Sequence, residues 1–238
     1  MNPYLSVIIP CYNEEKRLPR TLLRVLSYLH AQSYTWEVIV VDNGSTDGTS
    51  KLVHSIIKNE PRLKLVVDSL YGKGWAVRQG LLDAQGEYRL FTDADNSTDI
   101  AELEKMLPYL NDGFDVIVSS RKAVGAKIKI PQPPMREFLG KVFRLIVAFI
   151  VPTGVTDTQN GFKLFTKKAV DVIFPIQKIH YWAFDVEVLA LARKFNLKVK
   201  EVPIEWNDEG KSRVNLKGMI RMLFEVIHIR FNLSTNKY

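Results

Sequence analysis

Leu5-Ser-Val-Ile-Ile-Pro10 is a continuous apolar run that ends on a polar loop, Cys11-Tyr-Asn-Glu-Glu15, and is followed by leucines at helical spacing as far as Leu29. Such a run, closed by turn residues and succeeded by an amphipathic helix, reads as a strand buried on both faces. The pattern repeats outward from it. Glu37 to Val41 is a second strand running into Asp42-Asn-Gly-Ser-Thr-Asp47. Leu63 to Val67 is a third strand, Lys73 to Ala84 a helix, and Tyr88 to Thr92 a fourth strand that stops at Asp93-Ala-Asp95. Phe114 to Ser119 is a further strand ending at Ser120-Arg121. Short apolar strands alternating with helices predict an α/β fold with a mostly parallel central sheet and right-handed crossovers.

The second half changes style. Residues 123–134, rich in Lys, Ile and Pro, read as an insertion or flap, and a strongly apolar helix follows over 135–151. Asp157 to Phe165 reads as a loop entering a strand, Trp182 to Phe195 as a helix, Val199 to Glu205 as a strand and Leu216 to Phe231 as a last amphipathic helix. No repeat or low-complexity stretch interrupts the chain.

Its 238 residues, 46% hydrophobic, suffice to bury one large core, so a single catalytic domain is expected over 1–238. The net charge of +7 calls for an anionic partner: nucleic acid, an acidic lipid surface or a phosphorylated substrate. With one cysteine, Cys11, and no secretory leader pattern, a reducing, cytoplasmic setting is expected. The longest apolar run, Leu145 to Pro152, is far short of the roughly 20 residues of a spanning helix.

Ligands of an open parallel sheet bind beyond the carboxyl ends of its strands. Pro10 to Glu14, Asp42, Asp93 with Asp95, and Ser120-Arg121 each follow a predicted strand, so the fold gathers them on one rim. Two carboxylates spaced as Asp-x-Asp at a strand end suit Mg²⁺ or Mn²⁺, which take oxygen ligands and keep waters and substrate phosphates in their shell. The plain alternative is a solvated acidic turn. Gly72-Lys-Gly74 is either a tight turn into a helix or a phosphate contact through backbone N–H groups. It is no dinucleotide fingerprint, because the third glycine fails at Val77. Trp182 and Trp206 read as packing rather than sugar platforms, and no aromatic-and-basic motif of single-strand binders is present, so nucleic acid is not expected.

Taken together, Ser6-Val-Ile-Ile-Pro-Cys-Tyr-Asn-Glu-Glu15, Val41-Asp-Asn-Gly-Ser-Thr-Asp-Gly-Thr49, Gly72-Lys-Gly-Trp-Ala-Val-Arg-Gln-Gly80 and Asp93-Ala-Asp95 resemble the inverting family 2 glycosyltransferases of GT-A (nucleotide-diphospho-sugar transferase) fold. The resemblance implies a nucleotide-sugar-binding half over 1–121, with Pro10, Tyr12, Glu14, Asp42, Lys73, Asp93, Ala94 and Asp95 at the donor and Asp93 and Asp95 toward the metal. Asn43 departs from the second Asp usual there. Asp157-Thr-Gln-Asn-Gly-Phe-Lys-Leu-Phe165, Phe184-Asp-Val-Glu187 and Glu201-Val-Pro-Ile-Glu-Trp206 with Gly210-Lys-Ser-Arg213 resemble the dolichyl-phosphate glucosyl- and mannosyltransferases. The Asp-Thr-Gln block favours the glucosyl branch, and Gly140, where mannosyl members often carry Ser, weakens the mannosyl one. This second resemblance implies an acceptor half over 122–238, with Arg121, Arg136, Lys211, Ser212 and Arg213 facing the acceptor phosphate. Arg213 stands for the usual Lys and keeps a grip on phosphate.

The expected reaction moves a hexose, glucose from UDP-glucose ahead of mannose from GDP-mannose, onto a polyprenyl (dolichyl-type) phosphate. Such a phosphate is already an anionic nucleophile at neutral pH. Catalysis then consists of bringing two anions together, with Asp93, Asp95, Arg121 and Asp185 as the expected catalytic group. Asp185 has a second reading as a carboxylate at a helix N-terminus. The further alternative of a non-catalytic nucleotide-sugar or membrane binding module sits poorly with the Asp-x-Asp pair. Helices 135–151 and 216–231 are amphipathic candidates for a membrane interface, against the plain reading that they pack on the core. Peripheral association with the cytoplasmic face of a membrane is expected, and a separate membrane-anchoring partner is compatible with it.

Overall fold

A computed structural model describes residues 2–68, 70–131, 133–208 and 216–238, the side chain of Leu216 excepted. The opening strand, β1 (Leu5–Cys11), is followed by α1 (Leu18–His30), β2 (Trp36–Asp42), α2 (Thr49–Ile57), β3 (Leu63–Val67), α3 (Lys73–Asp83) and β4 (Tyr88–Thr92). A 3₁₀ turn at Ile100–Lys105 and the short α4 (Leu107–Asn111) lead into β5 (Val116–Ser120). Beyond it come β6 (Lys127–Ile130), α5 (Pro134–Ile150), β7 (Phe162–Thr166), α6 (Lys167–Ile173), α7 (Phe184–Lys194), β8 (Val199–Pro203), β9 (Glu205–Asn207) and α8 (Leu216–Ser234).

Seven strands form one sheet in the order β3-β2-β1-β4-β7-β5-β8. Neighbours pair in parallel except β7, which runs antiparallel to both β4 and β5. The mostly parallel sheet expected from the sequence is therefore present. Alternation along β1 divides the core: Val7 and Ile9 join a cluster with Leu18, Leu22 and Val25 of α1, while Ile8 joins Phe91, Phe165 and Phe184 on the opposite face. Each fully buried side chain of this kind contributes about 1.5–3 kcal/mol of burial energy, so the rim rests on a stiff platform.

Some boundaries move. β5 begins at Val116 rather than Phe114, and α7 begins at Phe184 rather than Trp182. Residues 127–130 of the expected flap form β6, which pairs in parallel with β9 in a separate two-stranded sheet. The expected strand Val199 to Glu205 divides at Ile204, where the chain leaves the main sheet for that small one.

The last helix also packs differently from its simple amphipathic reading. Met222, Val226 and Ile229, one stripe at helical spacing, are buried against the core. Ile220, Phe224, Ile227 and Phe231 form a second apolar stripe that stays exposed. Likewise α5, which packs against α8, buries Phe143 and Val147 and exposes Met135, Phe138, Leu145 and Phe149. The core-packing reading thus holds on one face of each helix, and the other face is apolar and exposed.

Candidate active site

The carboxyl ends of β1, β2, β4 and β5 open on one rim, where the antiparallel β7 brings its amino end. Register aligns them: Cys11 lies beside Asp42, and Thr92 beside Phe162, so the backbone N–H of Asp93 donates to the Gly161 carbonyl at 3.0 Å. A cleft of about 500 Å³ occupies the rim, within the range of small-ligand sites. Pro10, Tyr12, Glu14, Lys73, Asp93, Ala94, Asp95, Arg121 and Arg136, all expected from the sequence, line it. A second cavity of about 590 Å³ adjoins it, with Lys73, Arg121, Arg136, Gln159, Trp182 and Trp206 common to both. Asp185 lines this second cavity, whose apolar wall comes from Met135, Leu139 and Phe143 of α5 and Met219 and Met222 of α8.

Asp42 does not line the cleft. It is 1% exposed, and its carboxylate accepts from the Ser45 N–H at 2.9 Å and from the Ser50 hydroxyl. Its neighbour Asn43 lines the cleft instead, and the departure from Asp there has a structural use. The Asn43 Nδ2 donates to the Leu70 carbonyl, and its Oδ1 accepts from the Gly72 N–H at 2.7 Å. A carboxylate offers no donor for the first of these bonds. Gly72 itself has φ of +136° and passes the His180 carbonyl so closely that a Cβ would lie 2.2 Å from the oxygen, so only glycine fits. The turn reading of Gly72-Lys-Gly74 is thereby realised, and the turn delivers Lys73 to the cleft.

Lys73 Nζ stands 2.7 Å from Asp93 Oδ1. Burial raises the Asp93 carboxyl, with Asp95 and Asp185 adding to the rise against the opposing pull of Lys73. For Lys73 burial acts downward, but the charges of Asp93 and Asp185 prevail and the ammonium is raised. Asp95 accepts from the Ser97 N–H at 3.0 Å and has no basic partner among the described residues.

Arg121 is clamped. Its Nε and Nη2 donate to the two oxygens of Asp157, each at 2.7 Å, its backbone N–H donates to Asp157 at 2.9 Å, and its guanidinium lies over the Trp206 ring. Burial alone would raise the Asp157 carboxyl, but the Arg121 hydrogen bonds and charge outweigh it and hold the group below the usual range. Glu201 of β8 steadies this loop by accepting from the Asp157 N–H at 2.9 Å. Arg136, in the first turn of α5, pairs with Asp208 at 3.3 Å. Asp185 accepts from Lys163 Nζ beneath the second cavity, and it lies in the first turn of α7, where a carboxylate meets the helix N-terminus. Lys211, Ser212 and Arg213 lie outside the described residues.

Four participants escaped the sequence reading. Arg17, a cleft residue, pairs with Glu14 at 2.5 Å, and the Glu-x-x-Arg spacing on entry to α1 was the available signal. Asp157, Asn160 and Lys163 all stand in the block quoted above, but nothing in the sequence distinguishes the buried members of that block from the rest.

Residues 6–174 match the model of the family described as Glycosyl transferase family 2. A dolichyl-phosphate beta-glucosyltransferase of Trichomonas vaginalis is 37% identical, covering 95% of this chain and 70% of that protein. The Homo sapiens protein of the same name is 35% identical, covering 98% of this chain and 77% of its own. A glucosyl-3-phosphoglycerate synthase of Mycobacterium tuberculosis, crystallised with Mn²⁺, UDP-glucose and phosphoglyceric acid, is similar in fold, with a TM-score of 0.71 over 97% of this chain and 79% of that one at 16% identity.

Proposed function

The chain belongs to glycosyl transferase family 2, with the GT-A fold, and from that premise we propose that this glycosyltransferase moves glucose from UDP-glucose to a dolichyl-type polyprenyl phosphate, inverting the anomeric centre. Relatives named dolichyl-phosphate beta-glucosyltransferase at 33% to 37% identity support the acceptor and the sugar. Fold neighbours crystallised with UDP support the nucleotide.

One observation carries the reading: a rim cleft bearing the Asp-x-Asp pair opens into an apolar-walled groove, and Arg121 and Arg136 stand where the two meet. Residues 1–121 form the donor half of one catalytic unit and residues 122–238 its acceptor half. Phosphate at the arginines leaves the hydrocarbon to follow α5 and α8.

The residues present fit a divalent cation of the Mg²⁺ or Mn²⁺ kind. No group of three or more His, Cys, Asp or Glu side chains among the described residues is placed to hold a metal. Mg²⁺ is commonly held by one or two carboxylates plus substrate phosphates, so the strand-end pair is a sufficient protein contribution. Asp95 would hold the ion, with Asp93 beside it, and the ion would offset the charge of the departing diphosphate. Pro10, Tyr12 and Glu14 bind the nucleoside, and Asp42 shapes the loop beneath it. Arg121 and Arg136, with Lys211, Ser212 and Arg213, orient the acceptor phosphate, whose oxygen attacks in line. The phosphate dianion needs no general base. Asp185, fixed by Lys163, directs the sugar.

Among the described residues no helix is long and apolar enough to cross a membrane. The exposed Phe138, Leu145, Phe149, Ile220, Phe224 and Phe231 on two packed helices, with Arg144, Arg221 and Arg230 nearby, suit the interface of an anionic membrane, assigned here to the cytoplasmic face.

Purified protein incubated with UDP- and GDP-sugars, Mg²⁺ or Mn²⁺ and a short polyprenyl phosphate tests the reading by product mass. Glucosyl phospholipid from UDP-glucose is expected, with turnover abolished by chelation and by Asp95→Ala. Product from GDP-mannose alone, or metal-independent turnover, would refute it, and an α-linkage by NMR would reject inversion.

A further inference from the structure

Asn160 is 3% exposed, yet it lines the donor cleft. Its backbone is fixed: the carbonyl accepts from Lys163 Nζ at 2.6 Å, and that lysine, itself 1% exposed, is anchored on Asp185. Its side-chain Nδ2 is buried without a hydrogen-bond partner in the protein. The other described side-chain atom in that condition, Gln177 Oε1, belongs to a residue that lines neither cavity. Buried polar groups in native proteins are nearly always satisfied, and an orphaned donor costs about 1–3 kcal/mol. At the wall of a ligand cleft, an acceptor on the ligand recovers that cost.

The position of Asn160 narrows which part of the ligand this is. On one side Gly161 abuts the Asp93 carboxylate, and on the other Gln159 lines both the donor cleft and the acceptor groove. Asn160 therefore lines the donor cleft between a residue that abuts a strand-end carboxylate and one that stands at the junction of the two cavities. A transferred sugar must bridge that junction, because its anomeric carbon exchanges one phosphate oxygen for another there. The ionic groups around it are already matched, Lys73 with Asp93 and Lys163 with Asp185. A neutral amide donor among balanced charges suits a neutral acceptor, a hydroxyl, better than a phosphate oxygen. We infer that the side-chain amide of Asn160 is a specificity-determining contact that donates a hydrogen bond to a hydroxyl oxygen of the donor's hexose. The inference rests on the donor reading above and adds the residue that recognises the sugar rather than the nucleotide. Sites that hydrogen-bond a substrate hydroxyl discriminate strongly against ligands lacking it.

The test compares UDP with UDP-glucose, in Mn²⁺, by calorimetric titration of the wild type, Asn160→Ala, Asn160→Ser and Asn160→Asp. Loss of the donor should weaken UDP-glucose about 5- to 12-fold in the Ala and Asp variants, the central to upper range of one hydrogen bond to a neutral group. UDP affinity should stay within about twofold, and Ser, which keeps a shorter donor, should lie between. Thermal melts identify any variant that fails to fold, and the Ser variant then carries the comparison. Equal weakening of UDP and UDP-glucose would assign the amide to the diphosphate or to the frame of the cleft and overturn the inference. No change in either affinity would overturn it as well. Wild-type preference for GDP-mannose would defeat the donor assignment alone, and GDP against GDP-mannose would then decide the role of Asn160.

Discussion

Gly161→Ala places a methyl group where the structure has no room for one. The added Cβ would lie 1.9 Å from Asp93 Oδ2 and 2.4 Å from its Cγ, whereas ordinary contact begins at 3.4 Å. The two must separate by about 1.5 Å, and the backbone cannot supply much of it. Gly161 accepts the Asp93 N–H at 3.0 Å, and the next residue is already paired with Thr92 across β4 and β7. The carboxylate therefore swings, opening its 2.7 Å contact with Lys73 Nζ. Overpacking of this size costs about 1–3 kcal/mol of stability, which urea denaturation reads directly. A displacement of about 1 Å at a positioning group costs on the order of 10²-fold in rate. Initial-rate assays with UDP-glucose, metal and a short polyprenyl phosphate should thus show kcat/KM reduced by about two orders of magnitude in a protein that remains folded at assay temperature. A variant keeping more than about a third of wild-type kcat/KM would refute the premise that catalysis depends on where Asp93 is held.

Asp157→Asn keeps the shape of the Arg121 clamp but removes its charge, and should lower stability by about 1.5–3 kcal/mol at neutral pH. Because the Asp157 carboxyl is depressed in the folded state, its stabilisation is fully present above the unfolded value of about 3.9 and is lost as pH falls through the folded one. Melting curves of wild type and variant should accordingly converge in acid. Asn43→Asp removes the donor to the Leu70 carbonyl and should raise the KM for the donor about tenfold, with a smaller change in kcat, in steady-state assays. Phe149→Ser with Phe224→Ser, at positions 89% and 67% exposed, should weaken binding to anionic vesicles at least about tenfold in cosedimentation. The same pair should leave stability within about 0.5 kcal/mol per site, since neither side chain packs in the core.

The strands at Leu5, Glu37 and Tyr88 were legible because burial on both faces demands a continuous apolar run, and a rim follows from parallel order alone. Pairing was less so. That β7 enters antiparallel between β4 and β5 depends on contacts far apart in the chain, and this reversal is what brings Asn160 and Gly161 to the rim. Asp42 illustrates a different limit: the pattern locates it at a strand end but cannot say that Ser45 and Ser50 consume its carboxylate. In α8 the sequence carries two apolar stripes, and only the neighbouring α5 and α7 decide that Met222, Val226 and Ile229 form the buried one. β6, Lys127-Ile-Lys-Ile130, alternates at strand period but is only four residues long and exposed throughout, too short a run to stand out from the flap around it.

Charge pairing around the cleft bears on how two anions can share it. Arg17, Lys73, Arg121 and Arg136 each already face a carboxylate, in Glu14, Asp93, Asp157 and Asp208. Each such pair cancels most of its own field, so these cations cannot act as free counter-charges for a diphosphate and a phosphate together. Their partners instead hold them in place. Arg121 commits Nε and one Nη2 hydrogen to Asp157, and its remaining N–H groups keep a fixed direction, as a planar guanidinium allows. Pre-orientation of this kind lowers the entropy lost on binding, while the net positive charge must come from elsewhere. A divalent ion at Asp95, the cleft carboxylate with no basic partner among the described residues, would supply it at the leaving side. Arg144, which lines the second cavity and has no carboxylate partner among the described residues, can supply it at the acceptor side, whereas Lys122 of the same cavity is already paired with Glu137. Removing a carboxylate partner and removing its cation should therefore have different signatures: the first loosens a donor that keeps its charge, and the second leaves an uncompensated anion beside the reacting phosphates.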